Sequence, residues 1–193
     1  MSRYAVGLLP DRGLEESIRG IWDDLRGMGI GSNLLDHRGR PHLSLAVCRG
    51  LPGDFEERFD LFAAGIDPIG ISLQAAGTFG LENGVVFLAP SVTLELTGVH
   101  QRFYDELGGV LEGCSGLYTP GLWVPHCTVA MGLAAEEVCR AIGVCAGGRL
   151  PLEGSLERAA VMEFGESGVL SVREYPDAGG RRKGPAGGPG PSE

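Results

Sequence analysis

The sequence predicts a mixed helix-and-strand fold of two lobes, produced by duplication of one strand–helix–strand–helix unit. Three observations predict it. Pro41-His42-Leu43-Ser44-Leu45-Ala46 and Pro125-His126-Cys127-Thr128-Val129-Ala130 share the pattern Pro-His-apolar-hydroxyl-apolar-Ala, 84 positions apart. Ahead of them, Ala5-Val6-Gly7-Leu8-Leu9-Pro10 is echoed by Val85-Val86-Phe87-Leu88-Ala89-Pro90 at an offset of 80. Behind them, Gly50-Leu51 leads to Glu56-Glu57, and Gly132-Leu133 leads to Glu136-Glu137. Two copies are too few for a solenoid, so the expectation is two lobes related by a pseudo-twofold.

The elements follow in order. The N-terminal segment Met1 to Pro10 reads as a strand. Asp11 caps a helix in which Leu14, Ile18, Ile21, Trp22 and Leu25 recur at helical spacing, with Gly27 and Gly29 ending it. Trp22 therefore belongs to a core stripe rather than to a ligand platform. The first histidine motif is a strand, and Phe55, Phe59 and Phe62 mark a short helix after it. Ile69 to Ala75 is a strand. The second half repeats the order: a strand at 85–90, a helix striped by Leu96, Val99, Phe103, Leu107 and Val110, the second motif strand, and a helix marked by Val138, Ile142 and Cys145. Leu156 to Phe164 and Val169 to Tyr175 close as strands. Residues 1–175 are expected to form one bilobal unit. Residues 176–193 are a Gly/Pro/Arg-rich tail expected to be disordered.

Composition narrows the function. The net charge is −9, and the tail holds Arg181, Arg182 and Lys183, so the body is more acidic still. Such a body does not suit a general binder of long nucleic acid. Lys183 is the only lysine, which excludes a P-loop and any ligase that adenylates a core lysine. No apolar run reaches the length of a membrane span, and the N-terminal apolar stretch is short for a signal peptide. Five cysteines without metal spacing suit a reducing compartment, and the expected location is cytoplasmic. There is no Gly-x-Ser-x-Gly elbow of a serine hydrolase.

The motifs carry the chemistry. Strand alternation places His42, Ser44 and Ala46 on one face with Leu43 and Leu45 opposite, and treats His126, Thr128 and Ala130 in the same way. Cys127 then points away from the histidine, as a core residue. If both strands face one cleft, a neutral imidazole takes a proton from an attacking hydroxyl and a protonated one supplies the departing oxygen. Ser44 and Thr128 donate hydrogen bonds to the non-bridging oxygens of a phosphodiester.

The paired His-x-Ser/Thr-x motifs, their 84-residue separation, Arg3-Tyr4-Ala5-Val6 and Gly84-Val85-Val86-Phe87-Leu88 resemble the 2H phosphoesterase superfamily, in its bacterial 2'-5' RNA ligase branch. The similarity runs over most of residues 3–175. It implies a bilobal α+β fold, with two antiparallel sheets around a central groove and helices outside. It implies His42 and His126 as the catalytic acid–base pair and Ser44 and Thr128 as substrate-binding residues. In related enzymes the second-motif histidine activates water and the first protonates the leaving 3' oxygen; ligation exchanges the roles. The implied activity is metal-independent hydrolysis of 2',3'-cyclic phosphate ends of nucleotides or short RNA. Its rivals are ATP-independent 2'-5' RNA ligation and a non-catalytic nucleotide- or phosphate-binding module. The expected partner is a small nucleotide cyclic phosphate or an RNA end, with no cofactor, metal, membrane or long nucleic acid, and the chain is expected to be a monomer. Many relatives place Arg or Lys just after the second motif, where this chain has Met131-Gly132, which favours a small substrate.

Other residues have plainer defaults. His37 lies in a polar loop. Arg40 is near enough to the first motif to meet phosphate, and His100 borders the second helix stripe at the helix surface. Phe79 and Trp123 are packing residues first and base-stacking platforms second. The adjacent pairs Glu15-Glu16, Asp23-Asp24, Glu56-Glu57 and Glu136-Glu137 read as solvated faces.

Overall fold

The computed structural model describes residues 3–30, 39–165 and 168–176. The first half runs β1 (Arg3–Pro10), α1 (Arg12–Gly27), β2 (Leu43–Cys48), α2 (Phe55–Ala64) and β3 (Ile69–Gly77). The second runs β4 (Val86–Pro90), α3 (Leu94–Leu107), β5 (Cys127–Ala130), α4 (Ala135–Ala146) and β6 (Leu152–Gly165), and β7 (Gly168–Tyr175) follows. The class is α+β, and the repeated order of elements is the expected one. The tail at 177–193 and His37 lie outside the described residues.

The sheet arrangement differs from the expectation. Instead of two sheets, the described strands form one antiparallel sheet of order β2-β1-β6-β3-β4-β5, with β7 also on β6. The reason is an exchange of strands between the repeats. β3 ends the first repeat but pairs with β4 of the second, Leu73 opposite Pro90 and Ala76 opposite Leu88. β6 ends the second repeat but pairs with β1 of the first, from Arg3 opposite Phe164 to Pro10 opposite Leu156. The exchanged strands also pair with each other, Ile69 opposite Leu156 through Leu73 opposite Leu152, and this joins the lobes. That junction is why β6 begins at Leu152, ahead of the stretch expected from its apolar residues.

The helices form where the apolar stripes predict. Asp11 caps α1 by accepting the Leu14 backbone N–H at 2.9 Å, and Leu14, Ile18, Ile21, Trp22 and Leu25 are buried. In α2, Phe55 and Phe59 stack at 5.2 Å, and Phe59 meets Phe103 of α3 edge-on at 6.3 Å. Thr93 caps α3 through the Leu96 backbone N–H. The buried side chains of both lobes form one cluster. No helix among the described residues is long and apolar enough to cross a membrane.

Both histidine strands carry the same irregularity. Val6 opposes Ala46 but Gly7 opposes Ser44, so Leu45 is an extra residue on β2. Val86 opposes Ala130 but Phe87 opposes Thr128, so Val129 is an extra residue on β5. A bulge reverses side-chain alternation beyond it. Ala46 and Ala130 therefore turn into the core, fully buried, and do not share the histidine face as strict alternation had them. Val47 and Met131 take the groove side instead.

Gly7 lies at the first bulge, where an added Cβ would stand 2.7 Å from the Leu43 carbonyl oxygen. Gly7→Ala is expected to lower unfolding stability by about 1–3 kcal/mol in denaturant titration. Gly70→Ala, whose Cβ meets nothing within 4 Å, should change it by no more than about 0.5 kcal/mol. Equal stability of the two variants would contradict the close approach at the bulge.

Candidate active site

The two motif strands lie at opposite ends of the sheet order, and the sheet curls until they meet. The His42 backbone N–H lies near enough to the buried Cys127 thiol to favour its ionised form. The Trp123 indole N–H donates to the Ser44 carbonyl at 3.0 Å. Leu43, Leu45, Cys127 and Val129 anchor the strands in the core. The opposite faces direct His42, Ser44, His126 and Thr128 into a single cavity of about 770 Å³. All four residues singled out by the motifs are thus brought together.

Both imidazoles are held in the same way. His42 Nδ1 lies 2.7 Å from the Arg40 carbonyl oxygen, and His126 Nδ1 lies 2.7 Å from the Val124 carbonyl oxygen. A carbonyl only accepts, so Nδ1 carries the proton in each ring. Nε2 is left as the nitrogen that gains or loses a proton. Each ring is therefore a base when neutral and an acid when protonated, with the same atom acting in both states.

The electrostatics favour the neutral forms. Burial lowers the His42 pKa below its ordinary value, against the pull of the Arg40 carbonyl, and repulsion from a charged His126 lowers it further. Burial likewise lowers His126, opposed by the Val124 carbonyl. The His42 ring therefore responds to the charge on His126. Among the described lining residues Arg3 is the one cation, and no carboxylate faces the cavity. No three His, Cys, Asp or Glu side chains among the described residues converge into a metal-binding group.

The surroundings of the two rings differ. Phe79 lies edge-on to His126 at 4.9 Å, Phe87 is at 5.3 Å and Tyr118 at 6.3 Å. His42 has Phe164 at 6.4 Å. Phe79 is partly exposed at the cavity, as its base-stacking alternative requires. Trp123 is not at the cavity wall. It stacks flat on His100 at 3.9 Å, behind β2.

Two defaults of the sequence, at His100 and Glu15, are corrected, and the phosphate alternative for Arg40 is not taken up. His100 is buried, not at the helix surface, and pairs through Nε2 with the Tyr118 carbonyl at 2.8 Å. Arg40 does not turn to the cavity. Its guanidinium holds Glu15 with two nitrogens, at 2.9 and 2.7 Å, and Glu174 with a third. Glu15 is accordingly no solvated face: its side chain is 13% exposed and also receives Arg19. This cluster fixes residue 40, whose carbonyl orients His42. Sequence reasoning missed the cluster because its members lie at 15, 40, 158 and 174.

The 2'-5' RNA ligase superfamily model matches residues 14–168. No curated protein matches. Among solved structures the chain is similar to one described as a phosphoesterase, with TM-score 0.53 and 19% identity, over 90% of this chain and 98% of that one. It is also similar to Escherichia coli LigT complexed with 3'-AMP, with TM-score 0.50 and 15% identity, over 90% and 98%. These likenesses show a shared fold. The family match spans both histidine motifs, the bulges beside them and the exchanged strands, and on it the chain belongs to the 2'-5' RNA ligase superfamily.

Proposed function

We propose that the chain hydrolyses 2',3'-cyclic phosphate ends of nucleotides or short RNA by metal-independent acid–base catalysis between His42 and His126. The observation that carries the reading is the pair of imidazoles in one cavity, each with Nδ1 tied to a carbonyl and Nε2 free to exchange a proton. A neutral Nε2 on one side removes a proton from water as its oxygen attacks phosphorus. A protonated Nε2 on the other delivers a proton to the ribose oxygen as the ring opens. Either ring can take either role, because each exchanges its proton at Nε2. The Ser44 and Thr128 hydroxyls donate to the non-bridging oxygens, where negative charge builds.

The cavity supports a small substrate over two long RNA ends. Its size suits a nucleotide, and its lining offers one cation against a polyanion. LigT, which shares the fold, was solved with 3'-AMP. The five free cysteines support action in the cytoplasm.

Hydrolysis of the four nucleoside 2',3'-cyclic monophosphates in the presence of a chelator tests the reading. Turnover should survive the chelator, and His42→Ala and His126→Ala should each lower it by about 10²–10⁴-fold. Variants as active as the intact chain would contradict two-histidine catalysis. Turnover seen only when two RNA ends are supplied would assign ligation instead, and binding without any turnover would assign a binding module.

The pH profile gives a second test. Catalysis requires one protonated and one neutral ring, so kcat/KM is bell-shaped in pH. Burial lowers both rings from the ordinary value of 6.5, and repulsion from His126 lowers His42 further. As pH rises through the upper of the two pair constants the acid is lost, and as it falls through the lower the base is lost. The maximum is expected below pH 6.5, and a maximum above pH 7 would contradict the assigned environment of the pair.

A further inference from the structure

We propose that Cys48 and Cys114 are a thiol pair that closes to a reversible disulfide on exposure to a hydroperoxide. The backbone sets them opposite each other. The Ser115 N–H donates to the Val47 carbonyl at 2.9 Å, and the Arg49 N–H donates to the Glu112 carbonyl at 2.9 Å. Gly50 and Glu112 form an antiparallel bridge. Residues 112–115 thus run antiparallel to the end of β2, with Gly113 at φ +60° taking up one extra residue. Cys48 and Cys114 fall between these hydrogen bonds, where facing side chains of an antiparallel pair come close. Such a position meets the short Cβ separation that a disulfide needs.

The side chains agree with the backbone. The two thiols act on each other's ionisation, while the Cys48 Sγ–H donates to the Tyr4 carbonyl at 3.9 Å. Cys48 is 1% exposed and Cys114 is half-buried, so one sulfur is shielded while its partner is reachable. The buried Tyr104 hydroxyl, which has no hydrogen-bond partner, lies within electrostatic reach of both. The remaining cysteines have other settings: Cys127 and Cys145 are in the core, and Cys139 is exposed.

The chemistry balances with one hydroperoxide. The Cys114 thiolate attacks the terminal peroxide oxygen, the O–O bond breaks, and with hydrogen peroxide the leaving hydroxide departs as water. Cys114 is then a sulfenic acid. The Cys48 sulfur attacks the Cys114 sulfur, the S–OH bond breaks, and hydroxide leaves with the Cys48 proton as a second water. Two thiols lose two electrons and one peroxide gains them. Burial raises both thiols, Cys48 to about 12, so closure quickens as pH rises. The bond would fasten to β2 the segment that leads into the cavity wall at Leu117, Tyr118, Leu122 and Val124.

The test treats the full chain with hydrogen peroxide at pH 8, alkylates the remaining thiols and maps linked peptides by mass spectrometry. Two of the five thiols should disappear together, with Cys48 joined to Cys114. Dithiothreitol should restore them. Cys114→Ser should abolish the link, and Cys139→Ser should keep it. The mapping on the unaltered chain needs no variant to fold. Linkage of Cys48 to any other cysteine, or sulfinic acid at Cys114 with Cys48 still free, would overturn the proposal.

Discussion

The pairing of β3 with β6 holds the molecule together at the point on which the site depends. Each strand leaves its own repeat and completes the sheet of the other. Their mutual register, Ile69 to Leu73 against Leu156 to Leu152, fixes one lobe against the other. The histidine strands β2 and β5 are then the two ends of a single sheet. Twist and curl bring such ends toward each other, and the bulges at Leu45 and Val129 add local bending beside each motif. Without the exchange, two independent sheets would carry one histidine each, with only loops to set their separation.

Within that frame, main-chain carbonyls govern the proton chemistry. The Arg40 and Val124 carbonyls fix the tautomer of both rings by the same local geometry, two residues upstream of each histidine. The supports behind those carbonyls differ. Arg40 is locked by Glu15 and Glu174, with Arg158 bound to the same carboxylates. Val124 follows Trp123, which is held by the Ser44 carbonyl and by stacking on His100. One half uses charge and the other aromatic packing to place equivalent atoms. This asymmetry gives the two rings different surroundings: aromatic side chains crowd His126, and few stand near His42.

Much of this was legible in the sequence. The doubled motif named His42, Ser44, His126 and Thr128, and the echo at 5–10 and 85–90 gave the repeat. Apolar spacing placed all four helices, and Asp11 marked a cap that forms as read. The strand exchange was not legible, because a repeat in sequence does not say which copy a strand pairs with. The bulges were hidden for a related reason. Leu45 and Val129 fit strict alternation, and only the register with β1 and β4 shows that each is one residue too many. His100 and Glu15 were misread, and the partners of Arg40 missed, because the groups they meet lie far along the chain, and composition assigns an isolated charge to the surface by default.

The central claim is that both histidines carry their proton on Nδ1 and present a bare Nε2 to one cavity, where the charge of His126 lowers the titration of His42. Long-range proton–nitrogen NMR correlation of the side chains across pH reads this directly. The account predicts the Nδ1–H tautomer for His42 and His126 at neutral pH. It also predicts midpoints of both below 6.5, and a rise in the His42 midpoint when His126 is replaced by Ala. An Nε2–H tautomer in either ring, or a His42 titration indifferent to His126, would contradict it.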